Sequence, residues 1–81
     1  MMPEFRPVAT IADFASLDDG DVLEGYLDGF HDGPAPNSSH SRSYWHGWRN
    51  GMVDSEREVA DWAQEALARE FEQLARQSTL Q

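Results

Sequence analysis

Cysteine and lysine are both absent from this 81-residue chain. Without cysteine there are no disulfides and no zinc–thiolate site to reinforce a small fold, and the composition suits a reducing compartment. All six basic residues are arginine. No apolar run is long enough to span a bilayer. The first dozen residues contain Pro3 and Pro7 and lack the basic stretch followed by an apolar run that marks a signal peptide. The expectation is a cytoplasmic protein with no membrane partner. A chain of this length forms one domain, spanning residues 1–81, and folding buries a little over ~60% of its unfolded surface. Its stability must come from compact packing or self-association, and a large buried active site is not expected.

The net charge is −9, unevenly distributed. Residues 1–33 carry eight acids and one arginine, and residues 54–81 carry seven acids and three arginines. Residues 34–53 hold Arg42 and Arg49 and no acid. With His40 and His46, that middle stretch is the one candidate anion-facing surface.

Hydrophobic spacing indicates an all-α fold. Residues 1–16 read as a loosely ordered arm with a short helical turn near residues 10–15 that docks Ile11 and Phe14. A first helix is expected over about 17–32, with Ser16 and Asp19 as its N-terminal signal and Asp18, Asp19 and Asp21 at the positive end of its dipole. Its apolar stripe is Leu23, Tyr26, Leu27 and Phe30. Gly33 suits the C-terminal cap, and Pro34 and Pro36 prevent continuation. Asn37, Ser38 and Ser39 make residues 34–40 a polar turn. A second helix over about 41–53, capped by Ser41 or Ser43, presents Tyr44, Trp45, Trp48 and Met52. Ser55 and Glu58 form a capping-box pattern, so an amphipathic third helix is expected over about 54–76, separate from or continuous with the second. Its apolar face comprises Val59, Trp62, Ala63, Ala66, Leu67, Phe71 and Leu74.

Gly25, Gly29 and Gly33 recur four apart, as do Gly47 and Gly51. Interior helical glycine costs roughly 1 kcal/mol relative to alanine, so these rows require a structural return, and close helix approach supplies one. The expectation is an antiparallel helical hairpin over 17–53, with Tyr26, Phe30, Tyr44, Trp45 and Trp48 lying over the bared peptide groups.

Gly25, Tyr26, Gly29, Gly33, Pro36, Asn37, Tyr44, Gly47, Trp48 and Arg49 together resemble the ribosome modulation factor family. That family's pattern is GY..G...G, a proline-containing loop, and an aromatic residue followed by GW.R. The resemblance covers roughly residues 22–53, and Tyr44 stands where the family usually has tryptophan. It implies a small helical hairpin that binds ribosomal RNA and helps pair ribosomes into inactive dimers. The RNA-facing residues in this chain would be His40, Arg42, Trp45, His46 and Arg49, with Trp45 stacking a base. The family is strongly basic, as phosphate neutralisation requires, whereas this chain is acidic.

A second reading therefore follows from charge. Arg42 and Arg49 pair with the chain's own acids, and the carboxylates of the first and last helices occupy a basic protein surface, as an acidic binding module or nucleic-acid-mimicking inhibitor from a phage or mobile element would. Under either reading the last helix is a candidate homodimer contact through Val59, Trp62, Leu67, Phe71 and Leu74. His31, His40 and His46 lack a metal-ligand spacing, and the serines at 38, 39, 41 and 43 fit loop and cap preferences better than a nucleophile. No phosphate loop or dinucleotide fingerprint is present. The chain is expected to be non-enzymatic, with no metal and no cofactor.

Overall fold

The computed structural model describes residues 5–79, so the first four residues of the expected arm lie outside the described part. Among the described residues the fold is all-α, as expected, with helices α1 (Ile11–Ala15), α2 (Asp19–Phe30), α3 (Arg42–Asp54) and α4 (Trp62–Thr79) and no strand. α1 opens on a reciprocal capping box between Thr10 and Asp13. The side chain of Asp18, rather than Ser16, caps α2 by accepting from the Asp21 N–H at 2.9 Å. Ser41 caps α3 by accepting from the Tyr44 N–H at 3.1 Å.

α2 and α3 interlock through their glycines. A Cβ built on Gly25 or Gly29 would collide with the backbone carbonyl of Tyr44 or Trp48, and one built on Gly47 or Gly51 with that of Val22 or Tyr26. Each glycine thus admits a carbonyl from the opposing helix, the close approach that the two rows predict. The direction differs from the expected hairpin. Gly25 lies beside the start of α3 and Gly29 further along it, the Ser43 hydroxyl meets the Asp18 N–H at 2.9 Å, and the Arg57 side chain reaches the Phe30 carbonyl at 2.8 Å. The helices therefore run parallel.

Residues 31–41 make that possible. A 12-residue helix is roughly 18 Å long, and a chain of eleven residues can reach about 36 Å, so the connection can return the whole length of α2. It lies against α3: Trp48 Nε1 donates to the Gly33 carbonyl at 3.0 Å, and the His40 ring stacks on Tyr44 at 4.2 Å. The turn-forming composition of residues 34–40 is used for a strap, with its one tight turn closed by Asn37 and His40.

Both interlocked helices end on Schellman motifs whose left-handed residue is not glycine. Asp32 has φ 61° and Glu56 φ 65°, and the following N–H groups of Gly33 and Arg57 bond back to Asp28 and Met52. The cap expected at Gly33 thus falls one residue earlier. Glu56→Gly should raise stability by about 0.5–1 kcal/mol, since glycine removes the left-handed Cβ penalty. Equilibrium urea unfolding reads that increase, and no change would deny the strain.

The Schellman turn also explains why the last helix begins at Trp62 rather than near residue 54. Ser55 and Glu58 do not form a capping box, because Glu58 is held by Arg49. The box forms between Asp61 and Gln64, each side chain accepting from the other's N–H at 2.9 Å. α4 then folds back past α3. Gln64 reaches Asn50 near the end of α3, and further along Phe71 meets Phe14 of α1 edge-on at 5.5 Å, with Glu70 accepting from the Ile11 N–H at 3.0 Å. Ala63 and Leu67 are buried there, so Leu67 serves the chain's own core rather than a homodimer contact, while Val59, Trp62, Phe71 and Leu74 remain exposed.

Candidate interaction surfaces

α3 is enclosed on both sides. Gly47, Gly51, Tyr44 and Trp48 face α2 and the strap. On the other side Arg42, Trp45, His46 and Arg49, spaced i, i+3, i+4 and i+7, lie under the N-terminal segment, α1 and the start of α4. The residues expected to meet RNA are thereby placed close together, and each has an intramolecular partner.

Arg42 donates from Nε to the Arg6 carbonyl at 2.8 Å and from Nη2 to the Pro7 carbonyl at 2.7 Å, with the Asp13 carboxylate 3.8 Å away. This clamp lays the 5–10 segment across α3, where Val8 is only 2% exposed, so this part of the arm is docked rather than loose. Trp45 stacks on Phe5 with ring centres 5.5 Å apart. Arg49 pairs with Glu58 at 2.5 Å and Asp61 at 3.0 Å, joining α3 to the α4 cap. His40 accepts the Asn37 N–H at 3.0 Å.

His46 is 3% exposed, and its protonation state follows from a fixed chain of donors. The Asp61 N–H can only donate, so the oxygen of Gln64 faces it and the Gln64 amide nitrogen donates to Asn50 at 2.9 Å. Asn50 must then donate to His46 Nε2, 3.0 Å away, which requires a neutral imidazole protonated at Nδ1. Burial first, and the Arg42 charge second, hold this histidine below its usual 6.5, against a smaller opposing pull from Asp61. Because the folded state resists a proton that the unfolded chain accepts, this contribution is fully present above about pH 6.5 and is lost as pH falls toward the folded value. Urea midpoints should therefore drop between about pH 7.5 and about pH 5.5, and His46→Gln should reduce that drop. An equal drop in the variant would assign it elsewhere.

Tyr44, buried and hydrogen-bonded to Asp28 at 2.5 Å, has its phenol pushed up to about 12 and remains a donor. Beside it, a groove of about 360 Å³ opens between Phe5, Pro36, Trp45, Trp48, Arg49 and Glu58. Its single guanidinium is matched by a carboxylate, so the groove offers aromatic surface without net positive charge. Among the described residues no three His, Asp or Glu side chains converge as a cation site requires, and no helix is long and apolar enough to cross a membrane.

The outer face of α2 is organised differently. Its glycine row, not its apolar stripe, faces α3. Tyr26 is half-buried and donates to Asp54 at 2.8 Å, but Leu23, Leu27 and Phe30 are 59%, 49% and 40% exposed. Phe30 thus points away from the helix interlock instead of covering its peptide groups. The position of the glycines was the signal that the stripe would face outward, since a helix that buries one side against a neighbouring backbone must turn the opposite side out. Comparison with family models, with curated proteins and with solved structures finds no match.

Proposed function

We infer that this protein is a non-catalytic binding module that uses its acidic outer face to engage a basic surface on another protein. The observation carrying this reading is that the two arginines of the middle segment are engaged inside the chain while the carboxylates of Asp19 and Glu24 face solvent. A net charge of −9 repels a phosphate backbone and attracts a cationic protein surface.

Resemblance to ribosome modulation factor supports a shared way of packing two helices, because Gly25, Gly29, Gly47, Tyr44 and Trp48 are interlock residues. A ribosome-binding role would require Trp45 to leave Phe5 and the arginines to leave the carbonyls and carboxylates they hold. Such rearrangement opposes binding before any phosphate is met.

A benzophenone amino acid at His31, beside the end of α2, tests the assignment in extract of the host. The expected adduct is with protein, resists RNase, weakens with added salt and disappears in Asp19→Asn/Glu24→Gln. Adducts with RNA, or adducts abolished by RNase, would overturn it.

A further inference from the structure

We propose that the ridge Leu23–Leu27–Phe30 is the contact surface of the module, and that its partner is a basic amphipathic helix, apolar along one row and cationic on either side. This rests on the protein-binding reading above and adds where and what the module binds.

The ridge occupies positions i, i+4 and i+7, so its three side chains follow one line along the helix, as the anchors of helix-mediated recognition do. All three are exposed although α2 is securely packed, because the close contact with α3 is made by the opposite, glycine-bearing side. An amphipathic helix ordinarily buries its apolar stripe within the fold. Here local pattern and tertiary packing disagree over about two turns, and disagreement of that kind is expected at functional surfaces.

Charge specifies the occupant. At 100° per residue, Asp19 lies one turn before Leu23 on the same row, at the start of the ridge, and Glu24 lies on its flank; both are exposed. No basic residue occurs between Asp19 and Phe30, and the Arg57 guanidinium that reaches the Phe30 carbonyl lies 3.7 Å from the Asp32 carboxylate. Asp28, further round the helix, accepts the Tyr44 hydroxyl and so is turned toward α3. A helix laid beside α2 therefore meets an apolar line bordered by carboxylates, and one with a leucine row bordered by lysine or arginine is its complement. A second copy of this chain is a poorer match, since its own α2 presents the same acids and like-charge contacts oppose pairing.

The test uses the full chain, isotopically labelled, with an 18-residue synthetic helix carrying leucine at i, i+3, i+4 and i+7 and lysine on both flanks. A scrambled peptide of equal composition serves as the control. Amide shift changes should concentrate on residues 19–31, the scrambled peptide should bind at least about tenfold more weakly, and Leu23→Ser/Leu27→Ser should weaken binding by a similar factor. Both substituted positions are exposed, so circular dichroism should show an unchanged fold. Equal binding of the two peptides, or shift changes centred on Phe71 and Leu74, would overturn the proposal. So would a concentration-dependent dimer that the serine variant abolishes. If the peptide binding is lost in Asp19→Asn/Glu24→Gln but kept in the serine variant, the ridge assignment falls while the acidic-module reading stands.

Discussion

Alanine at Gly47 should cost about 3–5 kcal/mol, enough to unfold most of a domain this small. The added methyl group would meet the Val22 carbonyl and the Tyr26 N–H, both backbone atoms of α2. No rotamer change relieves such a collision, so α2 must move away and abandon the reciprocal contacts of Gly25, Gly29 and Gly51. Intrinsic helix preference points the other way, because alanine is favoured over glycine by roughly 1 kcal/mol in a helix interior. The two effects thus have opposite signs, and urea unfolding distinguishes them. Gly20→Ala is the matched control: it lies in the first turn of α2, where a Cβ meets only the Asp18 side chain at 3.3 Å. That substitution should be neutral or stabilising. A stable Gly47→Ala protein would refute the interlock.

Trp48→Ala should have an effect of similar size, a loss of about 3–5 kcal/mol through removal of a large buried ring. Trp48 packs with Tyr44 and Met52 in the centre of the fold, and its indole N–H holds the Gly33 carbonyl at the start of the strap. Trp48→Phe separates the two contributions. It keeps most of the apolar surface but leaves the Gly33 carbonyl without its donor, for a loss of about 1–3 kcal/mol. Because the strap sets the parallel course of α2 and α3, its release should be visible as faster proteolysis within residues 34–40 in both variants. Unchanged proteolysis would mean that the strap is held by other contacts, chiefly the His40–Tyr44 stack.

The glycine rows announced a close helix contact, and Ser41 announced the start of α3. What they left open has physical reasons. A row of glycines on one helix accepts a neighbour running in either direction, so the rows carried no information on parallel or antiparallel pairing. Proline, asparagine and serine in residues 34–40 suit an extended strap as well as a compact turn, and only the eleven-residue length favoured the former. The Ser55–Glu58 pattern marked a start for the last helix that the fold does not use: Arg49 takes Glu58, and Asp61 and Gln64 form the box instead. The arginines and aromatics of α3 share the spacing of an interaction patch and of a buried stripe, and three-dimensional packing selects the stripe. For α2 the reverse holds: an apolar stripe that pattern alone assigns to the core is turned to solvent by the glycines opposite it.

Co-sedimentation of the full chain with ribosomes from its host, at low and at near-physiological salt, bears most directly on whether the cations of α3 are spent on the fold. If Arg42, Trp45 and Arg49 serve the chain's own packing, the protein stays in the supernatant at near-physiological salt while retaining its RNase-resistant protein adducts. Pelleting with ribosomes at that salt, reversed by Trp45→Ala in a variant that remains folded, would contradict this and return the aromatic and basic face of α3 to RNA.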